Sequence, residues 1–547
     1  MSRFCTGLWP TRRTTLDSAW TNVTAGFRTK PDGPSDALGV YCSYRYGVIC
    51  SPRKGVVRTI ADVSDNRRAP TQPIETDDGG PSRTNRMHIA ELTLFAWVPV
   101  VLFLFSVLPP RHAVVTAFVG GWLFLPVFSI DLPGLPPFSK VSASAYAVMF
   151  SAVLFDADRL LTFRPKWFDL PIAVWCCAPL FASLSNGLGW YDGLSACLSE
   201  AVMWGIPYVL GRVYFNDWEG IRELAIGVFL GGVIYVPLCL LEMRLSPQLH
   251  RWVYGYFQHS FGQQKREGGY RPMVFMQHGI ACAMWMTTCT IVGIWLWATG
   301  AVKRIYGMPI YALAIPLLLT TIMCKSAGAL VLLLAGLGTF FWVRTFRNAL
   351  PLLVLILFIP TYVYLRASAT WSGQNLVDTA RQIFGDDRAA SLQTRLDAEN
   401  LLTEKALQQP AFGYGRWNRN RVYDEKGRDI AVTDGLWVIV LGQAGVTGLA
   451  SVTTAILLPS LLYWWRCPPR WWMHPMAAAG ASFAVLLPLH MCDNLWNAML
   501  NPVYVLVIGG LGGLGAGMRR VRTQSQPQGF AVVPRPMVAR PAVAIMQ

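Results

Sequence analysis

A cluster of arginines lies in the polar segment 367–434, which carries nine Lys/Arg and ten Asp/Glu. Within it, Gly413-Tyr-Gly-Arg416-Trp-Asn-Arg419-Asn-Arg421 places Arg416, Arg419 and Arg421 close together, beside two glycines. A planar guanidinium group binds two phosphate oxygens at once, and glycines let the backbone approach a bulky ligand. The pattern indicates a phosphate-binding segment, and a solvated turn with surface charges is the alternative interpretation.

Arg395 is unusual because of the helix that it occupies. Residues 391–409 predict a helix that Ser391 caps and Pro410 ends. Arg395 and Glu399 fall on its apolar face, which comprises Leu392, Leu396, Leu402, Ala406 and Leu407. A charge on an apolar face is costly unless it is paired or used. Either Arg395 forms an i,i+4 salt bridge with Glu399, or it points into a cavity beneath the segment.

Four further polar residues stand at the ends of apolar runs. Arg271 and His278 precede the run 279–299, Lys325 interrupts another, and Asp434 precedes a third. Three of them have an ordinary explanation: His278 as an interfacial histidine, Lys325 as a snorkelling lysine and Asp434 as a helix-capping aspartate. Convergence of Arg271, Lys325, Arg395 and Arg416/Arg419/Arg421 on one side of a membrane would instead indicate a polyanionic ligand.

The composition explains what must position these residues. Of 547 residues, 53% are hydrophobic and only 14% are charged, whereas soluble domains carry about a quarter. The net charge of +16 lies in short loops between apolar runs, a pattern typical of membrane topology rather than of nucleic-acid binding. Most of the twelve cysteines lie in apolar runs without CxxC spacing, which predicts small buried residues and no metal site.

Runs of about 18 or more apolar residues predict spanning helices. The fold class is therefore an all-α, polytopic integral membrane protein with 12–13 transmembrane helices and one large periplasmic loop, 367–434. The predicted membrane domain covers residues 87–520, and its thirteen spans are 92–108, 112–130, 141–156, 168–187, 194–211, 222–243, 279–299, 308–324, 326–343, 349–366, 435–463, 475–491 and 500–518.

The basic residues divide the loops into two sets, and basic short loops face the cytoplasm. This places the 521–547 tail in the cytoplasm and the segments 244–277 and 367–434 on the outer side of a bacterial inner membrane. Residues 1–86 are polar and predicted to be disordered. Thirteen spans put this basic tail outside, so either an extra span lies around residues 37–50 or the tail is not native.

The order of these motifs resembles that of the O-antigen ligase and O-antigen polymerase superfamily of membrane glycan transferases. The resemblance rests on a dozen spans, one large outer loop, Arg271…Gln277-His278-Gly279, Arg395, Pro410, Gly413-Tyr-Gly415, Thr433-Asp434-Gly435 and Gly442-Gln-Ala-Gly445-Val-Thr-Gly448. Two departures weaken the ligase assignment more than the superfamily assignment. Asp434-Gly435 replaces a His-Asn pair, and Cys324-Lys325-Ser326-Ala327 replaces Thr-x-Ser-Arg.

The resemblance implies transfer or polymerisation of a glycan from an undecaprenyl-pyrophosphate carrier to a hydroxyl of a glycan, lipid or protein. Arg271, Arg395 and the arginines at 416–421 would bind the pyrophosphate, with His278 and Lys325 beside them, and Asp434 would act as the base. No cofactor or metal is implied; membrane lipids are partners and nucleic acid is not. A transporter or flippase, or a non-catalytic component of an exopolysaccharide assembly system, is the alternative.

Overall fold

The computed structural model describes residues 83–132, 136–266, 268–416, 418–431 and 434–518. These residues form α-helices joined by short loops and three two-residue hairpins. The helices are α1 Arg83–Val107, α2 Pro110–Phe124, α3 Lys140–Phe155, α4 Ala157–Leu161, α5 Leu170–Ser185, α6 Trp190–Glu200, α7 Ile206–Tyr214, α8 Trp218–Leu245, α9 Leu249–Tyr254, α10 Gly279–Ala298, α11 Ile310–Met323, α12 Ala327–Phe346, α13 Leu350–Ala367, α14 Gln374–Phe384, α15 Asp386–Ala406, α16 Leu436–Arg466, α17 Ala478–Asn494 and α18 Pro502–Gly517.

The antiparallel hairpins pair β1 Ser129–Ile130 with β2 Phe138–Ser139, β3 Lys265–Arg266 with β4 Gly269–Tyr270, and β5 Arg304–Ile305 with β6 Met308–Pro309. A π-helical turn, Ala201–Gly205, joins α6 to α7. Single 3-10 turns cover Trp167–Asp169, Gly262–Gln264 and Pro469–Trp471. Regular structure in the described residues is thus almost wholly helical, as predicted.

Eight helical segments of the described residues are long and apolar enough to cross a membrane: Ile89–Val107, Trp167–Ser185, Trp190–Tyr214, Trp218–Leu245, Gly279–Ala298, Ala327–Phe346, Leu350–Ala367 and Leu436–Arg466. α3, α11 and α18 are apolar but shorter. The protein is therefore an all-α polytopic membrane protein. Each of the thirteen predicted spans coincides with one of these segments or with α2 or α17, and the total of thirteen remains a prediction.

Burial separates inner from outer helices. In an apolar 18-residue stretch of α10, 89% of the residues are buried. In the corresponding stretch of α1, only 22% of the residues are buried. Every residue of α17 is buried as well. Because α1, α12 and α13 expose many large apolar side chains, they have the surface expected of helices that face lipid, while α10 and α17 form the interior.

The two predicted outer segments carry structure of their own. Residues 246–278 contain α9 and the β3–β4 hairpin, and residues 368–431 contain α14 and α15. The helix predicted at 391–409 begins earlier, at Asp386, because Gly385 adopts φ +85° and separates it from α14. The predicted tail 1–86 lies outside the described residues except for the first turn of α1, and 521–547 lies wholly outside them.

Candidate functional site

A buried hydrogen-bond network anchors α15 on the membrane domain. The Glu399 carboxylate accepts hydrogen bonds from Tyr362 Oη at 3.0 Å, Arg366 Nε at 3.1 Å and Trp437 Nε1 at 3.1 Å. Arg366 also donates to the carbonyl of Leu396 at 2.8 Å. Burial raises the pKa of Glu399, and these donors oppose that shift. The network fixes one turn of α15 on the ends of α13 and α16.

Arg395 lies one turn before Glu399 but pairs with Asp434 instead of with Glu399, the partner that i,i+4 spacing suggests. Its Nε lies 3.3 Å from Asp434 Oδ2, and each side chain is about a quarter exposed (27% and 26%). The i,i+4 salt bridge with Glu399 does not form, because Arg366 occupies that carboxylate. Among the described residues, the two terminal nitrogens of Arg395 have no protein acceptor. Its guanidinium fork is therefore available to a ligand.

The surroundings of Asp434 shift the pKa of its carboxyl group. Burial raises the pKa of Asp434, while Arg395 and His259 stabilise the carboxylate and oppose the shift. Burial also lowers the pKa of His259, which favours its neutral form. A carboxylate with a raised pKa beside an open arginine fork is suited to accept a proton.

The other predicted outer segment, 244–277, brings Arg271 to Lys325. Arg271 is buried, and its Nη2 donates to the Lys325 carbonyl at 3.1 Å. Its side chain crosses the start of α10 so closely that a Cβ on Gly279 would lie 2.2 Å from Arg271 Cδ. Lys325 sits between α11 and α12 with φ +51°, and its Nζ would lie 2.5 Å from a Cβ on Gly269. Two glycines therefore make room for the two cations.

His278 connects this segment to Asp434. His278 Nδ1 accepts a hydrogen bond from the Ile280 amide at 3.0 Å, so the histidine caps α10. Its ring stacks edge-on against His259, with centroids 4.7 Å apart. His259 in turn interacts electrostatically with Asp434. His278 thus has a structural role and also lies in the chain of contacts that leads to the carboxylate.

Arg271, His278, Lys325, Arg395 and Asp434, five of the eight residues singled out in the sequence, therefore belong to connected contacts from separate segments. We call these five residues together with His259 the outer cluster.

The remaining three arginines have acidic partners elsewhere. Arg416 pairs with Glu200 at the end of α6. Arg419 donates to both carboxylate oxygens of Asp192, also on α6, at 3.1 and 3.2 Å. Arg421 pairs with Asp429 in its own segment. The contacts of Arg416 and Arg419 hold the segment against α6. That the three arginines also contact a ligand remains a prediction.

The Gly-x-Gly motif packs on protein backbone. α16 is broken at Gly445, which has φ +63° and ψ −164°. The amides of Tyr414 and Gly415 donate to the carbonyls of Gly442 and Gln443 at 2.8 and 2.9 Å, and the Val446 amide donates to the Pro410 carbonyl at 2.7 Å. The segment 410–415 thus takes up hydrogen-bonding groups that the broken helix leaves free.

We expect Gly445→Ala to destabilise the protein strongly. A Cβ at this position would lie 2.5 Å from the Ala411 carbonyl carbon, and this backbone conformation costs other residues about 1–3 kcal/mol before any clash. The matched control is Gly338→Ala in α12, where a Cβ would meet no atom within 4 Å. Thermal unfolding in detergent should show a lower melting temperature for Gly445→Ala only; equal stability of both variants would contradict this account.

Two acids inside predicted spans also bind outer segments. Glu200 holds Arg416, and Glu242, 1% exposed, accepts hydrogen bonds from the amides of Leu249, Met273 and Val274 at 3.0, 2.8 and 2.7 Å. Each carboxylate therefore ties an outer segment to the helices below it. In the sequence the two acids stand as isolated charges, because their partners are distant in the chain or are backbone amides.

His259, in the outer cluster, and Asp493, beside it, were not predicted from the sequence. His259 carries no recognisable motif. Asp493, at the end of α17, is 4% exposed and lies within electrostatic reach of Arg395. Its Oδ1 accepts from Asn497 Nδ2 at 3.0 Å. A buried aspartate at the end of an apolar run was the one available signal.

No protein-family model matches the chain, and no curated protein matches it significantly.

Proposed function

We propose that the protein transfers or polymerises a glycan from an undecaprenyl-pyrophosphate carrier at the outer cluster, on the periplasmic face of a bacterial inner membrane. The observation that carries this proposal is a chain of contacts between separate segments. Arg271 contacts Lys325 and crosses the start of α10 at Gly279, beside His278. His278 stacks on His259, which interacts electrostatically with Asp434, the partner of Arg395. A carboxylate paired with an arginine, and linked by these contacts to two further cations, suits an anionic donor and a hydroxyl acceptor.

The reaction assigns a role to each group. The bond between the anomeric carbon and the pyrophosphate oxygen breaks, and the acceptor oxygen bonds to that carbon. Arg395 and Arg271, with Lys325, stabilise the negative charge on the departing lipid pyrophosphate. Asp434 takes the acceptor's proton, and His259, whose lowered pKa favours the neutral form, interacts with this carboxylate and stacks on His278.

The transporter alternative predicts charges within the spans that act on a passing substrate. The acids that best suit this role, Glu200 and Glu242, are engaged by Arg416 and by three backbone amides. These contacts favour the transferase over the transporter. In the outer cluster, by contrast, the two terminal nitrogens of Arg395 have no protein acceptor among the described residues.

A reconstituted transfer assay tests the proposed activity. Purified full-length protein is incubated with an undecaprenyl-pyrophosphate-linked glycan, with candidate acceptors and with EDTA. We expect a higher-mass glycan product and free undecaprenyl pyrophosphate, at a rate that EDTA does not change. Movement of intact donor across proteoliposomes without cleavage would support a transporter and contradict the transferase.

The sidedness of the outer cluster is tested separately. Alkaline phosphatase fused after Arg421 should be active, because the enzyme forms its disulfides only in the oxidising periplasm. The same enzyme fused after Arg522 should be inactive, since the basic loops predict a cytoplasmic C-terminus. The reverse pattern would overturn the proposed orientation, whatever the transfer assay shows.

A further inference from the structure

A basic cavity of about 160 Å³ lies away from the outer cluster, at the ends of two candidate spans. Its lining includes Thr162, Phe163, Arg164, Lys166, Arg212 and Asn216. Arg164 and Lys166 directly precede the span Trp167–Ser185, and Arg212 lies near the end of the span Trp190–Tyr214. Three cations, a hydroxyl and an amide line the space, and none of its lining residues is acidic.

Arg212 is held rigidly at the wall of this cavity. It is 6% exposed, and its Nε donates to Asp169 Oδ1 at 2.8 Å. Its guanidinium carbon lies 4.7 Å from the centre of the Phe168 ring. Tyr208 Oη and the Lys166 amide also donate to the Asp169 carboxylate, at 2.6 and 2.7 Å. Asp169 thus orients Arg212 but is itself fully engaged.

Positive charge remains at the cavity after this pairing. Within the described residues, Arg212 Nη1 has no acceptor, and Arg164 and Lys166 have no carboxylate partner. Arg164 and Lys166 are exposed at the cavity mouth. A guanidinium nitrogen without an acceptor, on an arginine that is only 6% exposed, and two nearby cations are suited to bind an anionic oxygen group.

The surroundings of the cavity indicate a lipid rather than a soluble anion. Leu161, Trp167 and Leu170 on the same segment are 76%, 66% and 63% exposed. Large apolar side chains, with a tryptophan among them, characterise protein surface at the membrane interface. The basic loops containing Arg164 and Lys166 belong to the set predicted to face the cytoplasm, where the leaflet is anionic.

We propose that this cavity binds the phosphate of an anionic phospholipid headgroup, independently of the glycan chemistry at the outer cluster. Arg212 Nη1 binds the phosphate from within, while Arg164 and Lys166 close over it from the surface. Basic pockets between transmembrane helices are known to accept such headgroups.

Native mass spectrometry of the full chain in neutral detergent tests this site. Phosphatidylglycerol or phosphatidylcholine is titrated into the parent protein and into two double variants. Arg164→Gln with Lys166→Gln removes two exposed charges and leaves the backbone contacts of both residues in place. The matched control, Lys303→Gln with Arg304→Gln, removes two exposed charges from another predicted cytoplasmic loop.

We expect the parent and the control to bind phosphatidylglycerol in preference to phosphatidylcholine, and the Arg164/Lys166 variant to bind it at least about tenfold more weakly. Equal binding of the two lipids, or an equal loss in both variants, would overturn the proposal. Displacement of phosphatidylglycerol by millimolar inorganic phosphate would assign the cavity to a soluble anion and overturn the lipid assignment.

Discussion

Glycan transfer should fall by roughly a hundredfold or more in Asp434→Asn, the loss expected when a general base is removed. Asparagine keeps the shape of the side chain but cannot take the acceptor's proton. No helix cap is lost by the change, because Gly435 is the N-cap of α16 and no side chain of the described residues caps that helix. The ion pair with Arg395, in which each side chain is about a quarter exposed, contributes about 1 kcal/mol, so folding should be preserved. Initial rates of transfer and the amount of protein in the membrane measure the two effects.

Asp424→Asn is the matched control. Asp424 lies in the same outer segment, pairs with Arg428 and has a side chain that is 21% exposed, close to the 26% of Asp434. It should transfer glycan at nearly the parental rate. An Asp434→Asn variant as active as Asp424→Asn would leave binding by the cations as the whole mechanism.

The dependence of transfer activity on pH gives an independent test of whether Asp434 is the base. A base must be deprotonated, so activity is present above its pKa and is lost as the pH falls through it. Because burial raises the pKa of Asp434, the parent should lose activity at a higher pH than an ordinary aspartate would impose. This acid limb should be absent from the residual activity of Asp434→Asn.

Arg395→Lys should lose most activity, by roughly tenfold to a hundredfold, although the charge is retained. Asp434 engages only Nε of Arg395, and the remaining fork can bind two pyrophosphate oxygens, which an ammonium group cannot do in the same way. Rates measured with saturating donor, together with the donor KM, show whether binding, charge stabilisation or both are lost.

Arg428→Lys is the corresponding control, because Arg428 also pairs with an aspartate in the same segment but is 73% exposed. It should behave like the parent. Were Arg395→Lys equally active, Arg395 would serve only as the partner of Asp434, since lysine can form that ion pair too.

The membrane helices were predictable because each combines enough apolar residues to be recognised without knowledge of its neighbours. α15 was also predicted, although its start depends on the backbone conformation of Gly385. The partner of Glu399 was not predictable. The sequence offers Arg395 at the favourable i,i+4 spacing, but packing brings Arg366 of α13 to the carboxylate instead.

The outer cluster was predictable as a set of residue types but not as a set of contacts. Arg395 and Asp434 each stood out on their own segment, and their pairing depends on how α15 rests on the membrane domain. Arg416 looked like a phosphate ligand because its partner, Glu200, lies 216 positions away. The glycines nearby were assigned to ligand approach, whereas Gly413 accommodates the backbone of α16.

The break at Gly445 constrains the order in which the membrane domain is assembled. The carbonyls of Gly442 and Gln443 and the amide of Val446 find their partners in residues 410–415, and unsatisfied backbone groups in lipid cost several kcal/mol each. The ribosome makes residues 410–415 before α16, so these partners are already synthesised when the broken helix enters the bilayer. Because synthesis runs from the N-terminus, α16 does not have to insert before the partners of its unpaired backbone groups exist.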